Sequence, residues 1–79
     1  MNERLITVLA DVFGLREIDI NLDLTKEDVD SWDSLKQMDL VLSLEREYEI
    51  ALEIPDILKM MSVSGIVEVL KEKGVNFES

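Results

Sequence analysis

Apolar residues recur at helical spacing in three separate segments of this chain, residues 3–13, 34–48 and 62–70. A strand-like alternation occurs once, in residues 18–24, and a single strand cannot form a sheet. Pro55 indicates a further short helix to about residue 60, because its missing N–H is not needed in a first turn. The pattern predicts an all-α four-helix bundle with three main helices, one short third helix and a long loop between helices one and two.

The ends of these helices carry their own signals. Asn2 is suited to cap the first helix and Gly14 to end it. Ser62 is suited to cap the last helix, and Gly74 follows it as a stop. We expect the whole chain, residues 1–79, to form a single domain in which residues 75–79 are a frayed tail.

The second helical segment has the widest apolar arc of the chain. Its apolar residues spread over more than half of the helical wheel, and they are Leu35, Met38, Leu40, Val41, Leu42, Leu44 and Tyr48. An arc of this width is typical of a central helix that packs against several neighbours. We therefore expect this segment to lie in the middle of the bundle.

The connection between the first two helices is long, covering residues 15–33. We expect it to be an ordered loop held by apolar side chains, with a helical turn after Thr25; those side chains are Ile18, Ile20, Leu22, Leu24 and Val29. Trp32 is expected to pack the end of the loop onto the bundle. Loops of this length in small domains are usually functional.

Charge and composition exclude several classes of function. The chain has 8 basic and 18 acidic residues, for a net charge of −10, so nucleic acid and anionic membrane surfaces would repel it. No apolar run approaches the length of a membrane span, and the start of the chain lacks the pattern of a signal peptide. We therefore expect a cytoplasmic protein with neither nucleic acid nor membrane as a partner.

The absence of two residue types argues against an enzyme. Without Cys or His the chain has no thiolate nucleophile, no imidazole base and no usual zinc ligands. Paired carboxylates remain, but a chain of 79 residues has little room for a substrate cleft between them. We expect no catalytic residue and no specific metal site.

The most specific local feature is the tripeptide Asp33-Ser34-Leu35, where the long loop meets the second helix. Taken alone, Ser34 with Gln37 also fits the capping box S-x-x-E/Q, in which the serine is only an N-cap. Ser31 repeats the order Asp-Ser but is followed by Trp, and we interpret it as part of the loop.

The run DSWDSLKQMDLVLSLEREYEI, followed by a Pro-led short helix and SVSGIVEVL, resembles the acyl carrier protein family. In that family a D-S-L tripeptide opens the second helix. The similarity extends over nearly the whole chain, from the first helix to Gly74. Trp32 departs from the pattern, since many members have a small residue before the tripeptide.

The resemblance implies a carrier rather than a catalyst. By match of motif, Ser34 is the residue that a separate phosphopantetheinyl transferase esterifies with 4′-phosphopantetheine, with Asp33 and Leu35 as its motif neighbours. The thiol of that arm would hold acyl groups as thioesters for acyl-loading and acyl-transferring enzymes of fatty-acid, polyketide or related biosynthesis. The expected carrier is a monomer, and its sequence does not identify the cargo.

The same resemblance implies that charged residues near Ser34 dock partner enzymes. The candidates are Asp28, Asp30, Lys36, Asp39, Glu45, Arg46 and Glu47. The outward face of the second helix departs from the acidic pattern of the family, because Lys36 and Arg46 bring it close to neutral. We therefore expect the acidic loop to steer partners at least as much as the helix does.

The interior of the bundle has two interpretations at this point. It can serve for packing alone, or it can also leave space for a bound acyl chain between helices. Met38, Met60 and Met61 would suit such a space, because unbranched flexible side chains adapt to variable contents, although methionine in a small core is usually only filler.

Two other functions remain open. Residues 19–30 place oxygen-bearing side chains at the ligand positions of an EF-hand calcium loop, but the sixth position is Leu24 instead of Gly and the twelfth is Asp30 instead of Glu. The second alternative is an unmodified helical interaction module in which Ser34 is only a cap.

Overall fold

A computed structural model describes residues 2–76 of the chain. Four α-helices follow one another: α1 (Glu3–Phe13), α2 (Ser34–Tyr48), α3 (Ile54–Lys59) and α4 (Val63–Glu72). Two single turns of 3₁₀-helix, Glu17–Asp19 and Lys26–Asp28, interrupt the long loop before α2. The predicted all-α bundle with three main helices and one short third helix is confirmed, as is the turn after Thr25.

The helices begin and end largely where the sequence signals place them. The Asn2 side chain accepts hydrogen bonds from the N–H groups of Arg4 and Leu5, and Gly14 ends α1 in the left-handed conformation at φ 67°. The Ser62 hydroxyl accepts a hydrogen bond from the N–H of Gly65 and so caps α4. Glu49 ends α2 at φ 53°, a conformation that the sequence did not indicate because glycine usually occupies it.

The core forms where α1, α2 and α4 meet. Nine side chains in it are completely inaccessible to solvent: Leu5, Leu9, Leu40, Leu44, Met60, Val63, Ile66, Val69 and Leu70. No residue of α3 itself is fully buried. The short third helix therefore covers the edge of the core and contributes little to its interior.

The apolar arc of α2 is only partly buried, so the packing expected of a central helix does not extend over the whole arc. Its buried residues are Gln37, Leu40, Val41 and Leu44, which form a single stripe. Leu35, Met38 and Leu42 are 77%, 49% and 57% exposed. The other helices pack against the buried stripe, and these three apolar residues remain in contact with solvent.

The long loop is held against the bundle, but by only some of the residues expected to hold it. Ile20 and Val29 are buried, whereas Ile18 and Leu22 are exposed. Trp32 is buried and its ring lies 4.4 Å from that of Phe13, as expected of a residue that packs the loop onto the bundle. Two backbone hydrogen bonds, including Val63 N–H to the Leu24 carbonyl at 2.9 Å, also tie the loop to the start of α4.

Val75, near the end of the described chain, contacts the bundle. The N–H of Val75 donates to the carbonyl of Leu70, and the Val75 side chain packs against the core. The frayed tail expected for residues 75–79 stays a prediction, and residues 77–79 lie outside the described part. Among residues 2–76, no helix has both the length and the apolar character needed to cross a membrane.

Candidate functional site

Asp33 and Ser34 have different structural roles at the start of α2. Asp33 is the N-cap, and its carboxylate accepts the N–H of Lys36 at 2.8 Å. Its carbonyl accepts the N–H of Gln37 at 2.8 Å. Ser34 is therefore the first helical residue and not the cap, so the capping-box interpretation of Ser34 and Gln37 is wrong.

Because Asp33 caps the helix, the Ser34 hydroxyl is left available. Ser34 is exposed, and its hydroxyl makes no hydrogen bond to any residue between 2 and 76. Leu35 beside it is 77% exposed. The three residues of the tripeptide thus form an open corner of the molecule.

Gln37 has a role at this site that the sequence pattern does not indicate. It is 6% exposed, and its side-chain oxygen accepts the indole N–H of Trp32. Its side-chain nitrogen donates to the carbonyls of Ile57 at 3.3 Å and Met60 at 3.2 Å. One amide therefore joins the loop, α2 and the end of α3 just below Ser34. The sequence offered one signal for its burial: Gln37 is a polar residue that falls on the same helical face as Leu40 and Leu44.

Ser31 is held inside the loop. Its hydroxyl donates to the carbonyl of Phe13 at 3.1 Å, so it links the end of α1 to the segment before α2. This agrees with its interpretation as loop structure.

The corner at Ser34 fits a phosphodiester. The first N–H groups of a helix have no carbonyl partner within it, and the helix dipole is positive there. In α2, Asp33 occupies the N–H of Lys36, which leaves those of Ser34 and Leu35 facing this end. The Lys36 side chain adds a positive charge to the same turn.

Some of the predicted docking residues form hydrogen bonds or ion pairs within the chain, and others are only exposed. Asp28 accepts hydrogen bonds from the N–H and hydroxyl of Thr25, and Glu45 accepts the N–H of Leu52 at 2.9 Å.

The other contacts of the predicted docking residues are ion pairs. Lys36 pairs with Asp39 at 4.0 Å, and Glu47 pairs with Arg4. The Glu47 carboxylate raises the pKa of Arg4. Asp30 and Arg46 are exposed. Docking roles for all seven stay predictions.

Several side-chain oxygen atoms of the acidic loop already form hydrogen bonds or ion pairs within the loop. Asp19 pairs with Arg16 at 3.1 Å and raises its pKa, and the Asn21 side chain accepts the N–H of Asp23 at 3.0 Å. Within residues 2–76, no three acidic side chains come close enough together to hold a metal ion. The loop geometry gives no support to the EF-hand alternative.

Comparison with known proteins agrees with this geometry. Residues 3–70 match the family model described as phosphopantetheine attachment site. The fold is similar to the solution NMR structure of the holo acyl carrier protein from Geobacter metallireducens, with 29% sequence identity and a TM-score of 0.78. The similarity covers 87% of this chain and 79% of that one. This chain therefore belongs to the acyl carrier protein family: it is a carrier of covalently attached 4′-phosphopantetheine and not an enzyme.

Proposed function

We propose that Ser34 carries the 4′-phosphopantetheine group and that the chain presents acyl intermediates, bound as thioesters, to enzymes of fatty-acid, polyketide or related biosynthesis. The observation that supports this most is the exposed Ser34 hydroxyl, which has no hydrogen-bond partner in the described chain and stands at the first residue of α2. It lies within the D-S-L tripeptide that the family uses for attachment.

The residues around Ser34 suit this role in distinct ways. Asp33 satisfies the N–H of Lys36, so the serine is not needed as a cap. The remaining N–H groups at the helix start favour the phosphodiester that attachment leaves behind. The attached arm supplies a thiol, which this Cys-free chain lacks. The chain has no His to act as a base at the hydroxyl, so deprotonation of Ser34 is assigned to the transferase.

Partner enzymes are proposed to approach the face that contains Ser34. Asp28, Asp30 and Asp33 concentrate negative charge just before α2, whereas Lys36 and Asp39 offset each other on the helix. A basic surface on the partner would be attracted to the loop first. We propose a monomer in the cytoplasm, in keeping with the acidic composition.

The test of this function is intact mass spectrometry after incubation with coenzyme A and a phosphopantetheinyl transferase. Three proteins are compared: the wild type, Ser34→Ala, and the matched control Ser31→Ala. We expect the wild type and Ser31→Ala to gain the mass of one phosphopantetheinyl group and Ser34→Ala to gain none. An unmodified wild type, or a modified Ser34→Ala, would refute the proposal.

A further inference from the structure

Side chains of α2 form hydrogen bonds to the segment that contains α3 at both ends of the seam between them. At the end near the attachment site, Gln37 donates to the carbonyls of Ile57 and Met60. At the other end, the Glu45 carboxylate accepts the N–H of Leu52. An apolar chain that entered the bundle along this seam would have to separate these groups.

Of these two residues, Gln37 matters more for entry of a chain attached at Ser34, because it lies one turn beyond Ser34 on the buried stripe of α2. Its amide oxygen and nitrogen both have partners, with the indole of Trp32 on one side and two carbonyls on the other. A methylene chain cannot replace these hydrogen bonds. Inserting one here would leave buried polar groups unsatisfied, which is unfavourable.

Buried core residues surround Gln37 on the inner side of the seam. Met60 and Val63 are completely inaccessible to solvent, as is Leu40 on α2. Outside the seam, Asp56 of α3 pairs with Lys73 at 2.8 Å and holds α3 against the end of α4. Movement of α3 away from α2 is therefore resisted from both sides.

We propose that this bundle does not admit the acyl chain that it carries, and that Gln37 is the residue that excludes the chain. The inference rests on the proposed attachment at Ser34. Each methylene group left in water is unfavourable, so a carrier with a closed interior suits short or polar acyl groups better than long saturated ones. Of the two interpretations of the interior, packing alone is the one we infer for the wild type.

The test compares the protein loaded with a butyryl and with a dodecanoyl group on its arm. Intact mass first establishes that each preparation is fully loaded, so a failure of attachment is distinguished from a failure of this inference. Methyl NMR spectra then report on the core. We expect the methyl signals of Leu40, Val63 and Ile66 to have the same positions in both preparations. Shifts of these signals in the dodecanoyl form alone would overturn the proposal.

A variant assigns the exclusion to Gln37. Gln37→Met keeps a side chain of similar length and removes the three hydrogen bonds, and Leu42→Ala on the exposed side of α2 is its matched control. We expect the dodecanoyl group to shift the core methyl signals in Gln37→Met and not in Leu42→Ala. If folded Gln37→Met excludes the chain as the wild type does, Gln37 is not the excluding residue. Should that variant not fold, the wild-type comparison still decides whether the interior is closed.

Discussion

Asp33 and Ser34 are adjacent in the chain but differ in what they contribute to stability. The Asp33 carboxylate satisfies an N–H group that α2 would otherwise leave unpaired, whereas the Ser34 hydroxyl has no hydrogen bond to lose within the described chain. Loss of an N-cap costs about 1 kcal/mol of folding free energy. Asp33 therefore contributes to stability, whereas the proposed attachment residue Ser34 contributes little.

The first prediction follows from this difference. Asp33→Ala is expected to lower the free energy of unfolding by about 1 kcal/mol, and Ser34→Ala by less than about 0.5 kcal/mol. Urea denaturation of the unmodified protein, followed by circular dichroism, measures both. Equal destabilisation by the two variants would mean that Ser34 contributes to the cap after all.

The second prediction concerns the buried hydrogen bond between Trp32 and Gln37. Trp32→Phe keeps an aromatic ring next to Phe13 but leaves the Gln37 side-chain oxygen without its donor. We expect a loss of about 1–3 kcal/mol in unfolding free energy, because an unsatisfied buried acceptor is costly. Leu42→Ala is the control and should stay within about 0.5 kcal/mol of the wild type. A neutral Trp32→Phe would contradict the role given to this bond.

Sequence reasoning singled out Ser34 through its tripeptide but could not decide which residue caps α2. A helix cap is chosen by φ/ψ and hydrogen-bond geometry, and Asp33 and Ser34 are both good N-cap residues. Gln37 was missed for a different reason: its partners are the side chain of Trp32 and the carbonyl groups of Ile57 and Met60, and the two carbonyls come from distant sequence. Only the tertiary structure brings those carbonyls to it.

At the scale of elements, α3 is the least deeply anchored helix. None of its residues is fully buried, and it is joined to α4 by a close backbone approach and two ion pairs. Gly65 permits the approach, since a Cβ atom there would lie 2.3 Å from the carbonyl oxygen of Lys59. The position of α3 therefore depends on a glycine in α4 and on surface charges, together with the hydrogen bonds that Gln37 of α2 donates to Ile57 and Met60.

The third prediction is that Gly65→Ala destabilises the fold, although alanine is the better helix former by about 1 kcal/mol. The added methyl group meets a backbone oxygen, which cannot rotate away, so α3 and α4 must separate. Overpacking of this kind typically costs about 1–3 kcal/mol. Thermal unfolding measures the change, with Glu68→Ala on the exposed side of α4 as the control. A higher melting temperature for Gly65→Ala would contradict the close approach.

The fourth prediction uses the ion pair between Asp56 and Lys73. The hydrogen bond from Lys73 lowers the pKa of Asp56 below its ordinary value of 3.8, with the N–H of Glu53 as a second cause. The stabilisation is therefore present above about pH 3.8 and is lost as the pH falls through the lower pKa of the folded state. The partner carboxylate correspondingly raises the pKa of Lys73 above 10.5, so that contribution is lost only in strong alkali.

Asp56→Asn isolates this effect, because it removes the charge and keeps the shape. Urea midpoints of the wild type and the variant are expected to differ at about pH 7 and to approach each other as the pH falls below 3.8 and the wild-type carboxylate becomes protonated. Glu68→Gln, which alters an exposed acidic residue on α4, is the control. A difference that stays constant over this pH range would show that the ion pair does not stabilise the protein.

The sequence predicted the helices much better than their environments. Capping residues and apolar periodicity are local, so α1, α2 and α4 were located to within a few residues. Exposure depends on which neighbours are present. The outward apolar residues of α2, Leu35 and Leu42, and the loop residue Ile18 were expected to pack and do not. Their apolar character alone could not show that no helix covers them.

At the scale of the whole molecule, a net charge of −10 surrounds a small body that offers one exposed serine at the opening of its second helix. Such a molecule attracts basic partners over a distance, and its charge opposes contact with other acidic surfaces. A carrier needs both this negative electrostatic field and an attachment residue near it, and Ser34 is the residue proposed for attachment.

The fifth prediction is that the field speeds encounter with the transferase. Asp30→Asn removes one exposed charge close to Ser34, and Glu3→Gln removes one at the start of α1. Stopped-flow association rates at low ionic strength should fall more for Asp30→Asn, and the difference should shrink as salt is added. Equal reductions by the two variants would mean that net charge, and not the acidic loop, steers the partner.

The covalent arm on Ser34 is the claim on which the rest of the account depends. Tandem mass spectrometry of the peptide that contains both serines, taken from protein modified by the transferase, locates the group directly. The account predicts fragment ions that place a single phosphopantetheinyl group on Ser34 and leave Ser31 unmodified. Fragment ions that place the group on Ser31, or a peptide left unmodified after complete reaction of a known carrier in the same mixture, would contradict it.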